Sequence, residues 1–480
     1  MNRSCGVLMH VSSLPGDYSC GSFGREARFF VDFLAECGFS KWQVLPFCMT
    51  DEYNSPYKSY SAFGGNPYFI DLPTLRSQGL LTEAELASAR QGSPYLCEFD
   101  RLSKERLSLL ALAASRVSKE KKEEISAFLA ERPELQRAAE FLALKKANRD
   151  LPWQEWTVSV PDGEELALWQ FIQYEFFTQW MALKDYANRR GIEIIGDIPI
   201  YVAADSADVW ANRSEFQLDS KGYPLAVAGC PPDYFSEDGQ LWGNPLYRWN
   251  TMKKNGFSWW RRRMEYMLTL FDGVRIDHFR GIESYWSIPA SAKTAKEGKW
   301  VKGPARALVN AIREVAKDRL VIAEDLGDIT PEVTELLKYS GFPGMRVFQF
   351  GFLGEGDSPH RPHNYVKNCV AYTGTHDNNT LLGYVWECDP AARTRVFNYC
   401  NAAKDDWSLS CEMILKTVMA SHADLAIFPI QDILVYGADT RMNTPGKASN
   451  NWRYRITEDQ LRSLDPEKFN SLCELYSRNG

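Results

Sequence analysis

Four acidic residues each close an apolar run: Asp197 in "EIIGD", Asp277 in "GVRID", Glu324 in "LVIAE" and Asp377 in "TGTHD". One such residue after a strand is commonly a helix N-cap. Four at corresponding places, with Arg275, His278 and His376 beside them, call for a different reading. Arg275 and Asp277 are two apart and share one face of a strand. A guanidinium that close holds a carboxylate ionised, lowering its pKa by about 1–3 units, the state a carboxylate nucleophile needs. Glu324 has no basic neighbour in sequence, and the strand before it is apolar. Desolvation should raise its pKa, the state a general acid needs. Two carboxyl groups tuned apart are the signature of glycoside chemistry. Asp377 is then a third carboxylate able to grip ring hydroxyls, and His278 and His376 can donate hydrogen bonds to such hydroxyls. Asp325, next to Glu324, should point the other way and act structurally.

Carboxylates with histidine also suit a metal ion. However, the "HRPH" run from His360 to His363 has no matching second cluster, so no metal is expected. "GFLGEG" at Gly351 lacks the helix-opening GxGxxG pattern, so no nucleotide cofactor is expected either.

Eight apolar runs alternate with helical patterns: Cys5 to Val11, Lys41 to Phe47, Gly191 to Val202, "FDGVRIDH", Arg319 to Gly327, Gly344 to Phe352, Asn368 to Asn378 and Leu425 to Leu434. Strand–helix alternation over eight units predicts an α/β fold, a (β/α)₈ TIM barrel formed by a single catalytic unit over 1–480. In such a barrel the acidic run ends converge on one rim. Residues 80–150, rich in Ala, Leu, Glu, Lys and Arg, predict an inserted helical subdomain. Residues 203–256 are polar, aromatic and turn-rich, and predict a second, loop-rich insertion. A loop of that length is uncommon unless functional.

The chain has 480 residues, is 45% hydrophobic and 24% charged, and carries a formal net charge of -7. That acidic balance argues against a nucleic-acid partner. No apolar run approaches the length of a membrane span, and the N-terminus lacks a long apolar signal core. The eleven cysteines form no CxxC pair and predict reduced thiols in a cytoplasmic protein. Aromatic residues make 13% of the chain, and many fall in Gly/Pro-rich segments such as "YNSPYKSYSAFGGNPY". Aromatics in loops make flat platforms that suit sugar rings.

The segments "SPYKSYSAFGGNPY", "GDIPIYVAADSADVWANR", "PPDYFSEDGQLWGNPLYRW", "GVRIDHFRG", "IAEDLG", "GFPGMRVFQF", "TGTHDN" and "RMNTPG" together resemble the 4-α-glucanotransferases (amylomaltases or disproportionating enzymes), glycoside hydrolase family 77 of the α-amylase clan. The resemblance runs nearly the whole length. It implies a barrel with inserted subdomains and no C-terminal β domain. It implies Asp277 as nucleophile, Glu324 as acid/base and Asp377 as the transition-state carboxylate, with Arg275, His278, His376, Asp197, Tyr57 and Asn443 binding sugar. It further implies that Pro231 to Trp242 is a lid, with Tyr234, Phe235 and Trp242 lining the groove. The expected reaction is retaining transfer of α-1,4-glucan segments, with α-1,4-glucans and maltooligosaccharides as donors and acceptors and glucose as a further acceptor. The alternative is an α-amylase-like hydrolase. By the same resemblance a Val-like residue is expected where Cys230 stands, an acidic one at Asn379 and Gly at Asn450.

Overall fold

The structure is a computed structural model, and it describes every residue except 1, 2, 52, 233–236 and 448. Twelve strands occur among the described residues: β1 Ser4–Leu8, β2 Lys41–Gln43, β3 Glu193–Ile198, β4 Ala226–Cys230, β5 Gln240–Pro245, β6 Gly273–Ile276, β7 Ser284–Pro289, β8 Lys299–Lys302, β9 Val321–Ala323, β10 Gly344–Val347, β11 Cys369–Tyr372 and β12 Leu425–Pro429. Eight of them, β1, β2, β3, β6, β9, β10, β11 and β12, close into a parallel barrel. Each of the eight apolar runs contributes one barrel strand. Parallel strands covered on both faces are apolar throughout, and β1, β6, β9, β11 and β12 are buried along their whole length.

The barrel interior is packed solid by side chains that include Leu8, Ile195, Ile322, Met345, Val370 and Ile427, as expected of this architecture. Outside, the helices cover the strands. The 27-residue helix Gly163–Arg189 begins at Asp162, whose side chain accepts from the N–H groups of Glu164 and Glu165, a regular N-cap. Its buried Trp180 donates to the Leu270 carbonyl at 2.9 Å, which ties it to the end of the helix Ser258–Leu270 that leads into β6. Gly196 permits a close approach here, since a Cβ at that position would lie 2.2 Å from the Phe271 ring.

Between β2 and β3 run the helices Glu83–Ser88, Phe99–Ser115, Lys119–Ala130 and Pro133–Ala147. The segment 203–256 differs from the loop-rich reading. It supplies β4 and β5, which join β7 and β8 in a four-stranded antiparallel sheet of order β5-β4-β7-β8. The short runs "AVAGC" and "QLWGNP" are broken by glycine, which hides their alternation; they pair with each other, and the next strand of the sheet, β7, pairs with β4 from beyond β6 in sequence. After β12 the described residues form helices and turns but no further strand. All eleven cysteines are free thiols. Among the described residues no helix is long and apolar enough to cross a membrane.

Candidate active site

Barrel register explains why the charged groups meet. β3 and β6 pair so that Asp197 lies opposite Arg275. Arg275 Nη1 donates to Asp197 Oδ2 at 2.6 Å, and Nη2 donates to Asp277 Oδ1 at 2.8 Å. The guanidinium is buried between two carboxylates. Burial alone would lower its pKa, but Asp197 and Asp277 outweigh this and lift it well above its usual value. Asp197 is wholly buried, and desolvation raises its pKa against the pull of Arg275. Its Oδ1 has no hydrogen-bond partner among the described residues.

The backbone ladder continues one step beyond the strand ends. Asp277 N donates to the Ile198 carbonyl at 2.9 Å, and Glu324 N donates to the Ile276 carbonyl at 3.0 Å. These bonds hold both acidic residues at the same rim. Glu324 Oε2 accepts from the His278 N–H and Oε1 from the Leu326 N–H, each at 2.7 Å. Both bonds favour the carboxylate form. Burial and the neighbouring Asp277 charge dominate them and push the Glu324 pKa up to about 8. Asp325 faces away: it accepts from Met345 N at 2.6 Å and pairs with Arg346 at 3.0 Å. His278 sits in the left-handed region at φ 53°. Burial drives its pKa down to about 4, so at neutral pH the imidazole is uncharged and offers one donor and one acceptor.

Asp377 lies in the loop after β11 with its side chain half exposed. Asn443 Nδ2 donates to its Oδ1 at 2.6 Å, and His376 Nε2 lies 3.4 Å from the same oxygen. Tyr57 stacks on His376, with centroids 5.0 Å apart and planes at 18°, and donates its hydroxyl to Asp197 Oδ2 at 2.6 Å. A cleft of about 380 Å³ opens over Tyr57, Trp242, Asp277, His376, Asp377 and Asn443. A buried cation between carboxylates, a glutamic acid one strand away whose pKa burial pushes up to about 8, and an aromatic-lined cleft beside them make a set suited to breaking and remaking glycosidic bonds.

The sequence profile of the 4-alpha-glucanotransferase family matches residues 9–461. The 4-alpha-glucanotransferase of Thermus thermophilus is 44% identical, over 99% of this chain and 99% of its own. The chain belongs to the 4-alpha-glucanotransferase family. The Clostridium butyricum 4-alpha-glucanotransferase is 41% identical over 98% of this chain and all of its own. The amylomaltase of Streptococcus agalactiae, solved in complex with acarbose, superposes with a TM-score of 0.95 at 37% identity, each chain covered in full.

In this family member Tyr57, Trp242, Asp277, His376, Asp377 and Asn443 line the cleft, Asp197 and Arg275 are bonded to residues that line it, and Glu324 lies behind, bonded to the N–H of His278, whose ring touches Trp242. Trp242 meets the His278 ring edge-on, with centroids 5.0 Å apart. Tyr234 and Phe235 lie outside the described residues. Sequence reasoning missed Trp452, whose ring lies 5.9 Å from both Tyr57 and His376, and Tyr201, which lines the cleft beside Trp242. The signal for Trp452 was the general one, an aromatic residue in a polar segment, whereas Tyr201 is hidden at the end of the apolar run Gly191 to Val202. Asn450 has φ 64°. That explains why glycine was expected there, and asparagine is among the few residues that tolerate the conformation. Among the described residues no group of three or more His, Cys, Asp or Glu side chains could hold a metal ion.

Proposed function

We propose that this cleft transfers α-1,4-glucan segments by a retaining double displacement, with Asp277 as nucleophile, Glu324 as acid/base and Asp377 as the carboxylate that holds the distorted sugar. Asp277 Oδ attacks the anomeric carbon while Glu324 gives its proton to the departing glycosidic oxygen. A glucosyl–aspartate ester forms and the C–O bond to the leaving chain breaks. Glu324, now a carboxylate, takes the proton of an incoming sugar 4-hydroxyl, whose oxygen displaces Asp277 and restores the original configuration. Asp377, with Asn443 and His376, receives ring hydroxyls. Tyr57 and Trp452 give the sugar an aromatic wall, and Trp242, edge-on to His278, adds a further aromatic contact. Donors are α-1,4-glucans and maltooligosaccharides, and acceptors are such chains or glucose.

One observation carries this reading. A carboxylate paired with a buried arginine and a glutamic acid pushed up to about 8 share one rim. This is the division of labour a retaining glycosidase needs at neutral pH. The choice of a sugar over water as acceptor rests on positioning, which can contribute on the order of 7–11 kcal/mol. Trp242 and Gln240 on β5 are the described part of the lid wall that would hold the acceptor and shield the ester. Incubation with maltotriose and thin-layer chromatography of the products tests the proposal. A ladder of longer oligosaccharides is expected. Glucose and maltose alone would identify a hydrolase instead.

A further inference from the structure

Beyond Asp377 the surface opens into a second concavity of about 320 Å³, bounded by Phe352, Leu353, Asn379, Glu387, Asp389 and Arg441 among others. Arg441 links it to the catalytic cleft. Its Nε donates to the Asn443 carbonyl at 2.7 Å and its Nη2 to the Asp377 carbonyl at 2.5 Å. Asn379 donates to Glu387 at 2.8 Å, so two polar groups of the cavity are held in a fixed arrangement. Leu353, 65% exposed, adds an apolar face.

Glu387, Cys388, Asp389 and Ala392 of this cavity lie where the helix Leu381–Glu387 ends and the helix Pro390–Cys400 begins. The end of the first of these helices also bears Trp386, which is 62% exposed. Its ring lies 4.9 Å from that of Trp407, with the planes at 55°. Trp407 is anchored by Phe397 at 6.0 Å and by the Arg393 guanidinium 5.3 Å from its centroid. Arg393 also donates to the carbonyls of Trp386 at 2.6 Å and Cys388 at 3.1 Å. The junction of the two helices is therefore pinned while the Trp386 indole remains in water. Tryptophan carries one of the largest apolar surfaces of any side chain. An exposed indole set against a half-buried one, and held by a guanidinium, is arranged for contact with something outside the core.

We propose that Trp386 and Trp407 form a non-catalytic platform for α-1,4-glucan chains, continuous with the catalytic cleft through the cavity at Asn379, Glu387 and Arg441. The proposal rests on the reading of the cleft as a glucan site. The chemistry fits on both faces of the sugar. The C–H face of a glucose ring lies on an indole, and its hydroxyl edge meets carboxylate, amide and guanidinium groups at the border. Two indoles tilted against each other follow a chain whose α-1,4 linkages make it curve. A protein partner fits less well, because a stable interface needs about 800 Å² on each side and this patch is two rings bordered by Glu387, Asp389 and Arg393.

The test is native electrophoresis through soluble amylose, with Asp277→Asn as the parent so that nothing is turned over. The parent should be retarded, and should stay retarded when acarbose fills the cleft. Adding Trp386→Ala should weaken retardation at least threefold without acarbose and abolish it with acarbose. Trp407→Phe, which keeps the packing on Phe397, should give an intermediate loss. An unchanged thermal midpoint shows that the variants fold. Equal retardation of parent and Trp386→Ala under acarbose would overturn the platform. So would loss of the parent's retardation by acarbose alone, or a Trp386-dependent dimer in gel filtration. Wild-type products from maltotriose report separately: a hydrolytic pattern with Trp386-dependent retardation would sink transfer and leave the platform standing.

Discussion

The backbone N–H of His278 donates to Glu324 Oε2 at 2.7 Å from a residue held at φ 53°. A non-glycine side chain in that region costs about 1–2 kcal/mol, and such strain gathers at functional sites. Here it turns the chain after Asp277 so that one residue offers its amide to the acid/base while its ring faces Trp242. His278→Gly should keep the turn and lose the ring, and His278→Ala should keep the strain and lose the ring. The glycine variant is expected to be the more stable of the two by about 1 kcal/mol in urea unfolding. Both should bind maltotriose more weakly. Equal stability of the two would mean that the strain is not real.

Glu324 gives a pH prediction with a definite sign. An unfolded glutamate titrates near 4.3, whereas the folded one sits at about 8. Between those values the folded state holds a proton that the unfolded state lacks, so this group's contribution to stability falls as pH rises through that window. Glu324→Gln should flatten the stability curve between pH 5 and 8 and melt higher than the wild type at pH 9. Its activity should drop by about 10²–10⁴-fold. In the wild type, kcat/KM should decline on the alkaline side with a midpoint near 8.

Asp277→Asn should reduce transfer to background with the fold intact, because Arg275 retains Asp197 as a partner at 2.6 Å. Circular dichroism and a maltotriose assay on the same preparation check both halves. Near-normal turnover would reject the nucleophile assignment.

Arg275→Met should be far more damaging to the fold. It would strand Asp197, wholly buried and already with one oxygen unpartnered, in an apolar barrel. Breaking a buried pair in this way typically costs about 3–5 kcal/mol. The double variant Arg275→Met/Asp197→Asn should recover a substantial part of that loss in urea unfolding without recovering activity. No recovery would show that the destabilisation comes from lost packing and not from the abandoned charge.

Much of this site could be read from the chain. The eight barrel strands announce themselves as apolar runs, and "VIAE" alone foretells a glutamate pushed upward by burial. The pairing of Arg275 with Asp277 follows from strand alternation. The pairing of Arg275 with Asp197 does not, because it depends on the register between β3 and β6, two strands separated in sequence by the segment 203–256. The left-handed turn at His278 was equally hidden, since nothing in "DHFRG" marks a positive φ. Trp452 could be recognised as a type of residue but not assigned a place, because an aromatic in a polar loop carries no address; Tyr201 is masked by the apolar run that it ends. β4 and β5 are hard to see in the sequence because glycine breaks their alternation and the rest of their sheet, β7 and β8, lies beyond β6.

The closure of the barrel sets an order in time. β1 pairs with β12, Ser4 beside Leu425, and Trp452 closes on Tyr57 and His376 from a position later still. A chain emerging from the ribosome thus carries Asp277 and Glu324 long before the sheet can shut around them. Glucan chemistry should be absent from nascent or prematurely terminated products and begin only once residue 452 has been translated and docked.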